Sequence, residues 1–360
     1  MNIRKITTIC SLLLATQVAI AQQNMYVNGN DGSVNALPVS NVDYATFNVN
    51  NNWFTMSYGT SESTKYTITG TCTAAINSES DVKSVSTAPE VGICYSSQNQ
   101  KPTIEDNTSV LGNEIKNYDF TLSSLDLGTD YYYRMYIKFN DEVIYGEVNS
   151  AKTQGKQPNN QTINGHLFID LGLPSGTLWA QTNLGADTEA DDGDFYAWGE
   201  VAAKEEYLQN NYMYYDATSS SYSKYNANDG LTTIQDSDDP AIKNWGLCQL
   251  PTTTQFDELK NSDNCEVTWT TLTNSAGKEI KGYKIVSKVT DESIFLPAAG
   301  RHLKFQYDRN SNGYYLTNSI NSEDLTQVQT LYFQETTKGI NSWPRYNGYS
   351  VRAVATPSQK

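Results

Sequence analysis

This sequence predicts a multidomain chain, an all-β sandwich followed by an α+β domain. Three observations carry the prediction. Between residues 52 and 154, short runs alternate apolar and polar residues with period two, as in Tyr66-Thr67-Ile68-Thr69-Gly70-Thr71-Cys72. That is the pattern of strands with one buried face. Residues 155–165 contain Gly, Pro and Asn and no apolar run, the composition of a linker. From 166 to 356, short strand-like runs alternate with Gly- and Asn-rich turns and one capped helical segment.

In chain order, residues 1–21 read as a signal peptide. Arg4 and Lys5 give a positive start, residues 6–20 are apolar but too short to span a bilayer, and Ala19-Ile20-Ala21 is a cleavage site of the A-x-A type. Cys10 lacks the sequence context of a lipidated cysteine. The mature chain is expected to begin at Gln22, with no transmembrane segment, and to be secreted, periplasmic or at the cell surface. Residues 22–51 form a short β leader around the turn signal Asn30-Asp31-Gly32. Residues 52–154 make the sandwich, with strands expected at 91–96 and 143–150. In the last domain, Thr252 caps a helix, Gln255 closes a capping box, and Phe256 and Leu259 share one face. Residues 207–230 are rich in Tyr, Ser and Asn without periodicity and are expected to form a long surface loop.

Composition narrows the function. The chain carries 40 acidic and 25 basic residues, a formal charge of −15. Losing Arg4 and Lys5 takes it to −17, which disfavours nucleic acid and anionic lipid as partners, since both need clustered Lys and Arg. Beyond Cys10 the cysteines are Cys72, Cys94, Cys248 and Cys265. Cys248 and Cys265 flank the expected helix and are the candidate disulfide; small buried thiols are the alternative. Two histidines and no C-x-x-C spacing give no zinc site. No nucleophile elbow or phosphate loop is present. Asp191, Asp192 and Asp194 put hard oxygens close together, so calcium is the cation they would suit, although the spacing is not that of an EF-hand. With Asp236, Asp238 and Asp239 they also offer carboxyls to a glycan-active hydrolase. Solvated loops or helix N-termini are the simpler account.

Two resemblances add to this. The run Leu122 to Arg134, with Leu125, Gly128-Thr129 and Tyr131, resembles the E–F corner of fibronectin type III modules, which implies a fibronectin III-like sandwich with Tyr131 as the corner tyrosine. The stretch IDLGLPSGTLWAQTNLGADTEADDGDFYAWGE, residues 169–200, resembles the opening of the Fibrobacter succinogenes major paralogous domain. Further matches follow in order: Asp238-Asp239-Pro240-Ala241 into Asn244-Trp245-Gly246, then Leu250-Pro251-Thr252, then Ser293 to Gly300, then Gly348 to Val354. Cys248-Gln249 stands where that family shows Trp-Arg, and Leu316 where it shows Trp. The family is found on secreted and surface proteins of Bacteroidetes-type bacteria, and its resemblance to the C-type-lectin-like fold implies Trp179 and Trp198 in the core. Formylglycine-generating enzymes of related fold need a late cysteine pair; no cysteine follows Cys265, so that activity is not carried over.

The resemblance also implies a ligand face just before the last strand. There Trp343, Arg345, Tyr346 and Asn347 combine aromatic area with fixed polar groups, with Tyr314 and Tyr315 as neighbours. Packing of Trp343 into the core, with an ordinary hairpin turn after it, is the alternative. The function expected is a non-catalytic adhesion or carbohydrate-binding protein directed at a glycan or a surface protein. A structural component in a surface assembly is the second reading, and the hydrolase the third.

Overall fold

The computed structural model describes residues 54–77, 88–139 and 142–357 in full, and 24–28 and 34–38 by backbone pairing. The expected signal peptide lies outside the described residues. Strands hold 46% of the described residues and helices 6%, so the structure is mostly β, built of several sandwich-like sheets. No described helix is long and apolar enough to cross a membrane. The chain divides between Gln154 and Gly155 into two units.

In the first unit, β1 (Asn24–Asn28) and β2 (Val34–Pro38) pair antiparallel, Asn24 opposite Pro38. Then come β3 (Phe54–Ser63), β4 (Ile68–Ile76), β5 (Glu90–Ser96), β6 (Asn107–Gly112), β7 (Asn117–Leu122), β8 (Asp130–Phe139), β9 (Glu142–Tyr145) and β10 (Asn149–Lys152). They form two sheets: β3-β4-β7, and β10-β8-β5-β6 with β9 also on β8. The period-two pattern decides which side faces in. Ile68, Cys72 and Ala74 of β4 meet Val91 and Ile93 of β5 and Tyr133, Met135 and Ile137 of β8 in one buried core. The Tyr131 hydroxyl accepts the backbone N–H of Asp126 at 3.1 Å, tying the turn to the strand that follows it. Cys72 lies in this core, and the Cys94 thiol donates to the Pro102 carbonyl.

The second unit runs through β11 (Gln161–Ile163), β12 (His166–Asp170), β13 (Leu178–Ala180), β14 (Phe195–Tyr196), β15 (Tyr215–Asp216), β16 (Ser221–Tyr222), α1 (Pro240–Trp245), α2 (Thr253–Lys260), β17 (Cys265–Thr273), β18 (Glu279–Ser287), β19 (Ser293–Pro297), β20 (Arg301–His302), β21 (Gln306–Tyr307), β22 (Asn312–Ile320), β23 (Gln327–Gln334), β24 (Thr337–Pro344), β25 (Tyr349–Ser350) and β26 (Val354–Ala355). Its larger sheets have the orders β11-β12-β13-β26, β14-β25-β22-β23-β24 and β17-β18-β19. The first joins the start of the unit to its end, with Trp179 opposite Val354. Buried Arg352 locks that closure. Its guanidinium donates to Asn183 Oδ1 at 3.0 and 2.8 Å, to the Ala180 and Gln181 carbonyls, and to the Phe295 carbonyl at 2.8 Å. Five donors in a rigid fork are thereby satisfied without solvent.

Helix α2 forms as its sequence requires. Thr252 Oγ1 accepts the Gln255 N–H at 3.1 Å, and Gln255 Oε1 accepts the Thr252 N–H at 2.8 Å. Phe256 and Leu259 point inward, and Trp179 packs on Phe256 with ring centroids 5.2 Å apart. Before α1, Asp239 accepts the Ala241 and Leu250 amides at 2.8 Å each, and Pro240 takes the first helical position.

Two sequence expectations are corrected here. The polar stretch expected as a linker is folded. Lys156 N–H donates to the Val289 carbonyl, Lys156 Nζ and the Asn159 N–H both reach Asp170 Oδ2 at 3.1 Å, and 161–163 form β11. Its order comes from polar bonds, which leave no apolar signature. The segment 207–230 is not a simple surface loop: Tyr207, Tyr212 and Tyr225 are among the largest fully buried side chains.

Candidate functional site

The segment that precedes the last strands was expected to be exposed, and its central residue is the reverse. Arg345 is 0% exposed. Strand β24 ends at Pro344, and the turn after it drives the guanidinium into the interior. There Nε donates to the Tyr212 hydroxyl at 2.9 Å, Nη1 to the Tyr225 and Leu325 carbonyls at 3.0 and 3.1 Å, and Nη2 to the Lys224 carbonyl at 3.0 Å. Its carbon centre lies 4.6 Å from the Tyr222 ring centroid and 5.2 Å from that of Tyr212. A buried cation is costly unless paired; here carbonyl dipoles and ring faces take the place of a carboxylate. Tyr225 presents its carbonyl from a left-handed backbone, φ 56°, a strained state for a bulky residue. The Asp229 carboxylate holds that turn by accepting the Tyr225 N–H.

Around Arg345 the tyrosines are sorted by depth. Tyr212 donates to the Trp198 carbonyl at 2.6 Å, and Trp198 Nε1 donates to the Thr317 carbonyl at 2.9 Å. Burial pushes the Tyr212 and Tyr225 hydroxyls up, so both are neutral hydrogen-bonding groups. Tyr207 donates to the Phe195 carbonyl, and burial pushes it up to about 12. Outside this layer, Tyr215, Tyr222 and Tyr346 are half-buried and pack on the Tyr207/Tyr212 cluster. The Tyr215 and Tyr222 rings are 5.5 Å apart. The adjoining β20–β21 hairpin is tied in by the Tyr207 N–H to Leu303 carbonyl bond at 2.8 Å. It carries Phe305, 62% exposed, and the 207–222 segment carries Met213, 64% exposed. The result is a face of half-exposed aromatic rings over a rigid polar floor.

The six candidate ligand residues therefore divide. Tyr346 keeps accessible surface on this face. Trp343 is half-buried, 5.2 Å from the Tyr314 ring with Arg301 above it at 5.0 Å. Arg345, Asn347, Tyr314 and Tyr315 are corrected to interior positions. Tyr314 donates to Asp308 Oδ2 and Tyr315 to the Pro297 carbonyl; both rings lie on β22, within the sheet rather than at its rim. Sequence reasoning missed Tyr215 and Tyr222 as face residues, although the density of tyrosine in 207–230 was the available signal.

The remaining candidates do not assemble. Asp191 accepts from Thr188 and from Ser275, Asp192 from Gln306 and in an ion pair with Arg309 at 2.7 Å, and Asp194 bonds Tyr196. Each carboxylate serves a separate contact, and among the described residues no group of three His, Cys, Asp or Glu is placed to hold a metal. Cys248 and Cys265 are free thiols in two different core clusters, so the disulfide expectation is corrected. Burial pushes them up to about 12 and about 11. His166 stacks on Trp245 at 3.9 Å, and His302 faces Phe195 and Tyr207. Asp238 and Asp239 hold separate contacts: Asp238 accepts from Lys224 and Tyr225, while Asp239 caps α1.

No protein-family model matches the chain, and a search of curated proteins returns no match.

Proposed function

We propose that the chain is a secreted, non-catalytic binding protein. A fibronectin III-like first unit carries a C-type-lectin-like second unit, which presents its tyrosine face to a glycan. The observation that carries this is the layered cluster around Arg345: half-exposed rings of Tyr215, Tyr222 and Tyr346 held over buried, fully bonded Tyr212 and Tyr225. Such rings supply contact area with few rotatable bonds, and a rigid floor lowers the entropy lost on binding. The β11-β12-β13-β26 sheet, which joins the opening of the unit to its end, supports the lectin-like reading. The two facing sheets and the Tyr131 bond support the fibronectin III-like one. A surface protein is the alternative ligand, since the same rings suit a protein interface.

The test is a screen of the mature chain on immobilised glycans, with and without EDTA. Binding to a defined glycan set is expected, and Tyr215→Ala combined with Tyr346→Ala should weaken it at least tenfold with melting temperature little changed. EDTA should have no effect if the face alone holds the ligand; a loss would assign calcium a part. If the double variant binds as well as the parent, the tyrosine face is not the site.

A further inference from the structure

Arg301, on β20, carries a guanidinium that the fold positions and does not consume. Its carbon centre lies 5.0 Å from the Trp343 ring centroid and 5.4 Å from that of Tyr314. Its Nε is 3.3 Å from Asp308 Oδ2, which also accepts the Tyr314 hydroxyl at 3.0 Å. Aromatic rings below and a carboxylate at the Nε side restrict where the group can point. The forks of Arg345 and Arg352 are spent on partners inside the unit. In Arg301 only Nε is closed off from solvent; Nη1 and Nη2 are open and donate no hydrogen bond to a described residue, and the side chain is 26% exposed. A held guanidinium with a free outer edge offers two parallel N–H groups, which a carboxylate accepts with both oxygens.

The sheet beside this fork has room for a ring. Tyr314, Tyr332 and Gly339 are direct cross-strand partners on β22, β23 and β24, so they share one face. By the period-two alternation of β24, Trp343 lies on that face too. The Tyr332 ring centroid is 5.1 Å from that of Tyr314 and 5.7 Å from that of Trp343, and Tyr314 and Trp343 are 5.2 Å apart. Tyr314 is buried, whereas Tyr332 and Trp343 are half-buried. At Gly339 the row ends in bare backbone, where an added Cβ would meet nothing within 4 Å. The face therefore steps from a buried ring through a half-buried one to open space, with Trp343 and Arg301 on its flank. The negative faces of such rings suit the C–H edges of a sugar. Asp308 Oδ1 accepts no hydrogen bond from a described residue, which leaves it for a hydroxyl donor. A phosphate dianion would be repelled by Asp308 beside the fork, while a single carboxylate matches the two parallel N–H groups.

We infer that Arg301 anchors the carboxylate of a uronic acid unit, whose ring lies along Tyr332 and Trp343 over the space left at Gly339. The inference rests on the glycan-binding reading and names an acidic sugar as part of the ligand; it uses none of the rings of the tyrosine face.

Calorimetry on the full mature chain tests it beside the glycan screen, with methyl glucuronoside, methyl glucoside, N-acetylglycine and inorganic phosphate as probes. The glucuronoside is expected to bind roughly tenfold more tightly than the glucoside, the worth of a charge-assisted hydrogen bond. Arg301→Gln should erase that preference, and Arg301→Lys should keep only part of it, because an ammonium lacks the fork. Gly339→Leu should weaken glucuronoside binding about tenfold by filling the open space, and its melting temperature should stay that of the parent because nothing is displaced. Equal affinity for the two glycosides overturns the proposal, as does an unchanged preference in folded Arg301→Gln or undiminished binding by folded Gly339→Leu. N-acetylglycine or phosphate binding as tightly as the glucuronoside also overturns it, since the fork would then hold any anion. If the screen finds neutral glycans alone, this proposal falls and the glycan reading stands; if it finds no glycan, both fall.

Discussion

Arg345 and Tyr346 are sequence neighbours with opposite duties. Removing the Arg345 side chain strands the Tyr225, Leu325 and Lys224 carbonyls and the Tyr212 hydroxyl inside the unit. Each buried polar group left without a partner costs roughly 1–3 kcal/mol. Arg345→Ala is therefore expected to lower stability by more than about 3 kcal/mol, and Arg345→Lys by nearly as much, because an ammonium lacks the fork. Tyr346→Ala, at a half-exposed position, should change stability by roughly 0.5–1 kcal/mol. Urea unfolding of the three variants decides this; equal midpoints for Arg345→Ala and Tyr346→Ala would show that the buried arginine is dispensable. The thiols give a second residue-scale expectation. Cys248 and Cys265, buried and shifted to about 12 and about 11, should resist alkylation at neutral pH in the native chain and react fully in denaturant without reductant. Native labelling, or a mass two hydrogens short on Cys248 and Cys265 peptides, would contradict separate buried thiols.

Elements differ in how openly their sequence declares them. Helix α2 was readable because its cap is local: Thr252, Gln255, Phe256 and Leu259 lie within eight residues, and all four do what their spacing implies. The alternating strands of the first unit were readable for the same reason, although the single strand expected at 143–150 is split into β9 and β10; Trp179 and Trp198 are buried, but only a family resemblance, not local spacing, pointed there. The arginine site was not readable. Arg345 draws its partners from 120 and 133 residues earlier in the chain, and an Arg between aromatic residues has the same composition exposed or buried. The segment before α1 allows an element-scale test. Asp238 is buried, which alone would raise its pKa, but hydrogen bonds from Lys224, Tyr225, Ser237 and Tyr214 outweigh this and hold it below the ordinary 3.8. A depressed carboxyl favours the fold when ionised, so this contribution is present above about pH 4 and is lost as pH falls through the folded value. Asp239, by contrast, is raised by burial and works in the opposite direction. Asp238→Asn should therefore lower stability at pH 7 and flatten its decline on acidification; a parallel downward shift at all pH values would rule this out.

At the scale of the molecule, what counts as the second unit is set by hydrogen bonds rather than by composition. Residues 155–165 carry no apolar run, yet Asp170 gathers them. It pairs with Lys156 at 3.1 Å, accepts the Asn159 amide, and donates its own N–H to Asn160 Oδ1 at 2.8 Å, while β11 adds an edge strand to the sheet that closes the unit. Asp170 is itself buried, and its pKa is held below the ordinary value by the Gly172 and Asn159 amides and by Lys156, against the opposing effect of burial. Trimming the chain at His166 would leave that carboxylate with only the Gly172 amide and would expose the edge of β12. An ionised side chain buried without its partner is among the costlier defects a fold can carry. A fragment of residues 155–357 is thus expected to fold alone and melt in one transition. The fragment beginning at His166 should melt several degrees lower, by the roughly 2–4 °C per kcal/mol of a domain this size, and its deficit should narrow in acid, where Asp170 becomes protonated. Limited proteolysis of the full chain should accordingly cut ahead of Lys156 rather than within 156–163. Equal melting temperatures for the two fragments, or preferred cleavage between Asn159 and Ile163, would show that the polar stretch is the linker its composition suggests.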